Sequence, residues 1–347
     1  MAAVLATACG GATPTEPSST PSPTPAQGVY VAGYEYDGVY DPNTRQPHPV
    51  AIVWKNGVAT PLTDGTQDAY ASSVAISGSN VYVAGRVNPN NHDSNSYAML
   101  WKNGVATHLT DGTQSASADS VAVSGNDVYV AGNEGTVAKV WKNGVPTALA
   151  DVPLDLSAVA NSVAISGSDV YAAGSVEAIE LTSSWSAVIW KNGVPTTLAQ
   201  GTADVTAEAR SVAVSGSDVY VAGHETNEYT GVSVAKVWKN GVATALTDGT
   251  QDAYASSVAI SGNDVYVAGS EGNVAKVWKN GVAASLAEDA QANSVAVYGS
   301  DVYVAGCEGR ESNGAGRVAV VWRNGVATRL TDGARQARAN SILVELH

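Results

Sequence analysis

The sequence predicts an all-β protein, a seven-bladed β-propeller with four antiparallel strands per blade. Three observations support this fold class: a short motif recurs seven times, each repeat divides into four strand-like runs, and the two ends of the chain complement one another. The motif is Trp-Lys-Asn-Gly, with Arg for Lys in the last copy, and its tryptophans lie 47, 40, 49, 48, 40 and 44 residues apart. Periods in this range are typical of repeat architectures. The tryptophans are Trp54, Trp101, Trp141, Trp190, Trp238, Trp278 and Trp322.

Each repeat contains four short runs of strand-forming residues. In one copy they cover residues 257–261, 264–268, 275–279 and 282–286. The last two runs are joined by Asn-Gly, a strong hairpin signal, because both central residues of a type I′ turn need a positive φ. All seven repeats carry this dipeptide, and no stretch reads as a long amphipathic helix. Four strands in about 45 residues are typical of a propeller blade.

The two ends of the chain predict how the ring closes. The first repeat begins at residues 28–33, Gly-Val-Tyr-Val-Ala-Gly, which match the second run of the other repeats. Residues 340–345, Asn-Ser-Ile-Leu-Val-Glu, resemble the missing first run. We therefore predict that the C-terminal strand completes the N-terminal blade, which also removes exposed strand edges. The predicted divisions are a partial lipoprotein-type signal segment at 1–9, a Pro/Ser/Thr-rich linker at 10–27 and the propeller at 28–347.

Aromatic residues recur at two positions of every repeat. One Tyr lies in the second run and one Trp in the third, and the chain contains no Phe. We interpret these fourteen residues as packing between blades, since flat sheets stacked around an axis need large side chains between them. The tyrosines are Tyr30, Tyr82, Tyr129, Tyr171, Tyr220, Tyr266 and Tyr303.

The charge of the chain narrows the classes of partner. The net charge is −14, and no basic stripe is present, so a nucleic-acid partner is not predicted. An excess of acidic groups suits a domain that faces water, and we expect a monomer. No phosphate loop or Gly-x-Ser-x-Gly elbow occurs, and no cofactor is predicted.

The N-terminus resembles the end of a bacterial lipoprotein signal peptide. Ala6, Thr7 and Ala8 precede Cys9 as in a lipobox, although Leu5 lies one place too far upstream and the basic segment is absent. A tract rich in Pro, Ser and Thr follows at residues 13–25, and such tracts act as semi-rigid spacers. We expect Cys9 to be lipidated and to provide the only contact with a membrane, which places the protein outside the cytoplasm at the cell envelope or surface. The alternative is a tail without function.

The connections between runs differ between the two faces of the predicted ring. The first-to-second and third-to-fourth turns are tight, and they define what we call the Asn-Gly face. The other two kinds of connection define the variable-loop face, which we predict to be the binding face because rigid scaffolds commonly carry function on such loops. Long second-to-third loops are predicted at residues 34–49, 86–97, 175–186, 224–233 and 307–317.

Three sets of residues on the variable-loop face are candidate binding residues. A Glu follows Ala-Gly-x in five repeats, either as an acidic ring that attracts cations or as a structural hydrogen-bonding group; these are Glu35, Glu134, Glu225, Glu271 and Glu308. The residue before the first-run Ser varies and should rim the central channel, where it binds a small polar ligand or holds water; here lie Ser72, Asp119, Asn161, Arg210, Ser256, Asn293 and Asn340. Loop aromatics suit glycan or peptide contacts; they are Tyr34, Tyr36, Tyr40, Tyr97, Trp185 and Tyr229, with His224 beside them.

Signals for catalysis and metal binding are weak. The five histidines show no metal-ligand spacing, and the oxygen-rich run at residues 88–95 lacks the EF-hand pattern, so no metal site is predicted. Cys307, the second cysteine, is predicted to be a bystander. A carboxylate pair for glycoside chemistry would have to come from the five glutamates.

Residues 28–347 resemble the seven-bladed propellers of secreted or lipid-anchored bacterial proteins. The Tyr-Val-Ala-Gly and Trp-Lys-Asn-Gly motifs carry this resemblance. The signatures of WD, kelch and sialidase-like blades are absent, and Tyr-Val-Ala-Gly is only similar to the Tyr-Val-Thr-Asn surface-layer repeats. The resemblance implies a fold and a location but no characterised activity.

Near-identity between blades favours binding over catalysis. Residues 60–85 and 244–269 agree at 23 of 26 positions, whereas a catalytic site needs different residues in different blades. The sequence therefore predicts a non-enzymatic, lipid-anchored, extracytoplasmic propeller that binds a protein or glycan partner through its variable-loop face. Two alternatives stay open: a carbohydrate-active hydrolase or lyase that uses loop carboxylates, and a purely structural surface module.

Overall fold

The computed structural model describes residues 27–40, 47–89, 95–149, 157–177, 184–309 and 316–346. Twenty-eight strands form seven four-stranded antiparallel sheets, and no helix occurs in these ranges. The predicted all-β, seven-bladed propeller is therefore confirmed. Cys9, the predicted segment 1–9 and the predicted linker 10–27 except for its last residue lie outside the described residues, and that last residue, Gln27, begins β1.

The first three blades contain the strands up to β11 and the C-terminal strand. Blade 1 comprises β1 (Gln27–Tyr40), β2 (Pro47–Lys55), β3 (Val58–Pro61) and the last strand, β28 (Ala337–Leu346). Blade 2 comprises β4 (Asp68–Ser77), β5 (Asn80–Asn88), β6 (Tyr97–Lys102) and β7 (Val105–His108). Blade 3 comprises β8 (Ala116–Ser124), β9 (Asp127–Glu134), β10 (Val137–Lys142) and β11 (Val145–Ala148).

The remaining four blades follow in chain order. Blade 4 comprises β12 (Ala158–Ser166), β13 (Asp169–Glu177), β14 (Trp185–Lys191) and β15 (Val194–Ala199). Blade 5 comprises β16 (Val205–Ser215), β17 (Asp218–Asn227), β18 (Ser233–Lys239) and β19 (Val242–Ala245). Blade 6 comprises β20 (Ala253–Ser261), β21 (Asp264–Glu271), β22 (Val274–Lys279) and β23 (Val282–Glu288). Blade 7 comprises β24 (Ala290–Tyr298), β25 (Asp301–Glu308), β26 (Val318–Arg323) and β27 (Val326–Arg329).

The C-terminal strand closes the ring as predicted. β28 pairs with β1 in an antiparallel register that runs from Gln27 opposite Leu346 to Glu35 opposite Ala337. The strand order in blade 1 is thus β28-β1-β2-β3, with the C-terminal strand innermost, as the first strand is in the other blades.

The hydrophobic core consists of seven clusters, and each lies between two adjacent blades. Every cluster combines the tyrosine of one blade with the tryptophan of the next, as Tyr129 and Trp190 do between blades 3 and 4. The seven tryptophans of the repeated motif are fully buried. The predicted role of the fourteen aromatic residues in packing between blades is confirmed.

The Asn-Gly turns have the predicted type I′ geometry. The asparagines have φ of 50–53° and the following glycines 80–84°. The sequence did not reveal why asparagine is the residue used. Its Oδ1 accepts a hydrogen bond from a backbone N–H near the start of the second strand, for example from Val128 to Asn143 at 2.9 Å. The amide therefore ties the two turns of the Asn-Gly face together.

Several predicted loops prove to be hairpin arms. In blade 1 the pairing of β1 with β2 continues through Glu35 opposite Val50 and Tyr36 opposite Pro49 to Tyr40 opposite Pro47. The described residues of the predicted loop at 34–49 therefore lie in β1 and β2, because tyrosines favour an extended backbone. Tyr97, Trp185 and His224 likewise belong to β6, β14 and β17, whereas Tyr229 lies in the turn between β17 and β18.

Candidate functional site

A β-bulge at the same position of every innermost strand shapes the channel. In β12 the pairing passes from Ala160 to Ser162, so Asn161 is left without a partner on β13. An extra residue in one strand re-aims its side chain. The seven residues in this position are those predicted to rim the channel: Ser72, Asp119, Asn161, Arg210, Ser256, Asn293 and Asn340.

The glycine of Tyr-Val-Ala-Gly makes the bulge possible. A Cβ on Gly132 would lie 1.9 Å from the carbonyl oxygen of Ser117, and the equivalent glycines of the other blades show the same approach within 2.0 Å. Only a residue without a Cβ lets the two backbones come this close. The motif therefore has a structural cause that links it to the channel rim.

A closed ring of serines joins the innermost strands. In blade 2 the hydroxyl of Ser73 accepts a hydrogen bond from the backbone N–H of Val121 in blade 3, at 3.1 Å. The same bond recurs at all seven blade junctions with distances of 3.1–3.3 Å. The serine that follows each bulge therefore links each innermost strand to that of the next blade around the channel.

Five of the bulge residues come together around one polar cavity of about 330 Å³. The cavity is lined by the innermost strands of five consecutive blades, so it lies at the axis of the propeller. It also includes two residues from the position two before the bulge, nearer the start of the innermost strand and hence the variable-loop face. Its lining comprises Asn161, Arg210, Ser256, Asn293 and Asn340 from the bulges, with Glu208 and Arg338.

The three asparagines of this cavity hold neighbouring blades together and also present acceptor atoms to the cavity. The side-chain N–H groups of Asn161, Asn293 and Asn340 donate to backbone carbonyls of the next blade at 2.8–2.9 Å. Their Oδ1 atoms remain as acceptors. In Asn293 this atom accepts a hydrogen bond from Nη2 of Arg338 at 2.8 Å.

A charged and aromatic wall borders the cavity in blades 5 and 6. Nη2 of Arg210 donates to Oε2 of Glu208 at 3.0 Å, and its guanidinium lies 5.7 Å from the ring centre of Tyr254. The buried ring of His224 packs edge-on against Tyr254 with ring centres 4.8 Å apart. Burial and the neighbouring Arg210 lower the pKa of His224 to about 4, so its ring is neutral near pH 7.

Aromatic residues cluster again where blades 1 and 2 meet. The rings of Tyr34 and Tyr70 contact edge to face at 5.0 Å, and the guanidinium of Arg86 lies 4.7 Å from the ring centre of Tyr70. Burial raises the pKa of both tyrosine hydroxyls. Beyond them, burial raises the pKa of the bulge residue Asp119 to about 6, although Ser117 donates a hydrogen bond to it at 2.7 Å.

The predicted glutamates lie apart from the axial cavity. Three of them, Glu134, Glu225 and Glu271, form short ion pairs with a lysine on the third strand of their own blade, namely Lys139, Lys236 and Lys276. Glu308 faces Arg329 at 3.4 Å, and the pKa of Glu35 is raised by burial. This pairing corresponds to the structural interpretation of the repeated glutamate, with a strand lysine as partner instead of a loop.

Two other predicted residues also lie away from the cavity lining. Tyr229 is 81% exposed in its turn, where Asp204 raises the pKa of its hydroxyl. Cys307 is buried, and it forms no disulfide within the described ranges. In the same part of the chain, no group of three or more His, Cys, Asp or Glu side chains is arranged to hold a metal, and no helix could cross a membrane.

Sequence reasoning missed the position two residues before the bulge. This position holds Glu208, Tyr254, Gln291 and Arg338 in four of the blades. A signal was present, because this position differs from blade to blade while its neighbours repeat. Its meaning depended on the bulge, which brings both positions to the axis.

Comparison with known proteins shows the fold alone. No protein-family model matches the chain, and no curated protein matches it. Among solved structures, it is similar to the β-propeller domain of the Trilobed protease from Pyrococcus furiosus, with a TM-score of 0.50, 12% identity and coverage of 90% of this chain and 96% of that one. That domain is described as having an open velcro topology. The chain is also similar to a prolyl endopeptidase chain, with a TM-score of 0.46 and 13% identity; 86% of this chain covers 47% of that one, about half its length.

Proposed function

We propose that the protein is a binding propeller without catalytic activity, anchored outside the cytoplasm, which takes its ligand at the axial cavity on the variable-loop side. The observation that carries this proposal is the convergence of five polar bulge residues, three Asn, one Arg and one Ser, on one cavity within a ring of otherwise similar blades. The fold requires the bulge, its glycine and the following serine. It does not require the bulge residue itself to differ between blades. A binding site does require such differences, because it needs different groups at different points around the ligand.

The state of the carboxylates favours binding over hydrolysis. A glycosidase needs two carboxyl groups facing one another across the substrate, at about 5–10 Å. Glu134, Glu225 and Glu271 are engaged with lysines instead, and the single carboxylate of the cavity, Glu208, contacts Arg210. The hydrolase alternative has no specific observation of this kind in its favour.

The binding face can be tested by shortening one hairpin arm. Blade 3 provides the template, because its second-to-third connection is Asn-Glu-Gly-Thr with Asn133 opposite Ala138 and Glu134 opposite Val137. Replacing residues 34–49 by these four residues keeps the register of Gly33 opposite Ile52. It should leave the fold intact and weaken ligand binding, because it removes Tyr34, which lies opposite the cavity residue Arg338 on the paired strand β28.

Matched controls lie on the Asn-Gly face. Val145 and Val282 are 67% and 73% exposed there, so Val→Thr changes should alter neither fold nor binding. The exposed lysines of the same face, such as Lys142 and Lys279, are unsuitable as controls, since each pairs with an aspartate at 2.7 Å and its substitution would leave that aspartate unpaired. Backbone amide shifts with a mixture of sugars, amino acids and short peptides would locate the site. Shifts confined to the Asn-Gly face, or binding lost in the valine variants and kept in the shortened protein, would contradict the proposal.

The proposed anchor is Cys9, which lies outside the described residues. A thioether-linked lipid with an acyl chain attaches a protein through about 0.8 kcal/mol per buried CH₂ group. In cells that express the complete native gene, the wild type should sediment with membranes and Cys9→Ser should be soluble. Equal fractionation of the two proteins would remove the anchor from the proposal and leave the binding site untouched.

A further inference from the structure

The positive charge at the axial cavity differs from that of the lysines in its place in the blade and in its partners. Every lysine occupies one of two positions on a third strand, directly after the tryptophan or two residues before it. Described lysines at these positions contact an aspartate, a glutamate or a tyrosine ring of their own blade. The cavity instead contains two arginines, Arg210 and Arg338, at positions where the other blades have uncharged or acidic residues.

Of these two arginines, only Arg210 contacts a carboxylate. Its partner is Glu208 at 3.0 Å, so this pair is neutral. Arg338 is half-buried on β28, where its Nη2 donates to Asn293, and its Nε is buried without a hydrogen-bond partner. Within the described ranges no carboxylate pairs with it. A half-buried guanidinium without a counter-charge is unfavourable, because it has lost water without gaining an anion.

The other cavity groups complement a polar acid. The side-chain amides of Asn161 and Asn340 donate to backbone carbonyls. Their Oδ1 atoms remain as acceptors for hydroxyl or amide N–H donors of a ligand. The net charge of the cavity is +1, one carboxylate against two guanidiniums, in a protein of net charge −14. A volume of about 330 Å³ lies at the low end of the range for ligand pockets and suits a small molecule.

We propose that the axial cavity binds a small organic acid, with the carboxylate on Arg338 and hydroxyl or amide donors on the asparagine oxygens. This inference rests on the proposed binding function and names the chemical class of its ligand. Arginine suits the role because its planar fork holds a carboxylate by two parallel hydrogen bonds. A sugar acid and an N-acyl amino acid both carry this chemistry, and the test separates them.

Pairs of probes that differ only in the acid group provide the experiment. Calorimetry would compare galacturonate with galactose, and N-acetylglycine with N-acetylglycinamide, on the full chain. At least one acid should bind, and its neutral counterpart should bind about 10- to 100-fold more weakly, the loss expected for a charge-assisted hydrogen-bonded pair. The pair that shows the larger difference identifies the body of the ligand.

Three variants test the role of Arg338. Arg338→Gln should remove the preference for the acid, and Arg338→Lys should keep part of it, since the charge remains and the fork is lost. Lys102→Gln is the matched control for loss of one positive charge, because Lys102 is exposed at the end of β6 on the Asn-Gly face and contacts the ring of Tyr82, with no carboxylate paired to it among the described residues. If Arg338→Gln does not fold, the Lys variant alone decides the question. A reduced preference for the acid supports the inference, and an unchanged preference contradicts it.

Three outcomes would overturn the inference: no acid probe binds, neutral probes bind as tightly as acids, or an Arg338 variant that folds, the Lys form included, binds the acid as the wild type does. Neutral probes that still shift the amides of the bulge residues would leave the proposed function standing. Shifts confined to the Asn-Gly face would overturn both.

Discussion

The backbone N–H of Val74 donates a hydrogen bond to Oγ of Ser341, 3.3 Å away, although 267 positions separate the two residues in the chain. This bond joins the C-terminal strand to blade 2 and completes the serine ring at its seam. Ser341→Ala should lower the free energy of unfolding by about 0.5–1.5 kcal/mol, because it leaves the N–H of Val74 without its partner. Urea unfolding would measure the change, with Ser79→Ala in an exposed turn as control. An equal effect of the two substitutions would show that the serine hydrogen bond does not stabilise the closed ring.

Deletion of residues 340–347 tests the closure on a larger scale. It removes most of β28 and leaves the inner edge of β1 unpaired, so stability should fall by several kcal/mol at roughly 25 cal/mol per Å² of apolar surface exposed, and the free edge should promote association. Thermal melting and light scattering would show both effects. A truncated protein that melts like the wild type as a monomer would be incompatible with closure by β28.

A circular permutant supplies the control for that deletion. Leu346 lies opposite Gln27, so a tight glycine-containing turn can join them as in the other blades, with new termini in the turn at Ser79. All strand pairings are retained, and the permutant should keep the stability of the wild type. A large loss in the permutant would show that chain order, and not the paired strand, stabilises the ring.

Gly132→Ala tests the close approach at the bulge. The added Cβ would lie 1.9 Å from the carbonyl oxygen of Ser117, so the strands must separate, at a cost of about 1–3 kcal/mol or more. Gly78→Asn is the comparison, because Gly78 has a φ of 56° but open space around it, and asparagine tolerates that backbone. Denaturant midpoints should fall for Gly132→Ala and change little for Gly78→Asn. The reverse order would rule out the bulge as the reason for the Ala-Gly motif.

Asp119 and His224 should give opposite pH dependences in one window. The pKa of Asp119 is raised from 3.8 to about 6, so between these values the folded state binds more protons than the unfolded state, and stability falls as pH rises. The pKa of His224 is lowered from 6.5 to about 4, so here the unfolded state binds more protons, and stability rises with pH. At 1.36 kcal/mol per pKa unit, the upper limit is about 3 kcal/mol for Asp119 and about 3.5 kcal/mol for His224.

Single variants should separate the two contributions. In Asp119→Asn the histidine remains, so stability should fall as pH drops from about 6.5 to 4. This variant should also exceed the wild type above pH 6, because the carboxylate no longer ionises there and the new amide can donate to the carbonyl of Ala160, as Asn161 donates to Ala209. In His224→Gln stability should rise over the same drop in pH. Urea midpoints across this range would measure both effects. The stability of the double variant should depend less on pH than that of either single variant. Single variants with parallel pH profiles would contradict the assignment.

The number of blades, the strand order, the type I′ turns and the closing strand were all predictable from the sequence. These features depend on periodicity and on turn chemistry, which act over a few residues and recur in each copy, as at Asn143 and Asn280. The aromatic packing between blades was predictable for the same reason, since a residue present once in every blade of a ring meets the neighbouring blade at every junction.

The site could be predicted only in part. The varied residue before each first-strand serine pointed to the channel rim, and five of those residues line the axial cavity. The glutamates vary less and were also predicted as candidate binding residues. In the structure, glutamates such as Glu134 and Glu271 pair with lysines within their own hairpins. Sequence distance cannot separate these cases, because both positions occur once per blade.

The tertiary structure alone decided which residues meet at the axis. The bulge adds one residue to an otherwise alternating strand, so the side chains on its two sides change direction relative to the simple pattern. Arg338 and Asn293 lie 45 positions apart and contact only because the curvature of the ring brings neighbouring innermost strands together. Local patterns thus fixed the blades themselves, whereas the chemistry of the cavity depends on distances across blades, which are set by the closure of all seven sheets around one axis.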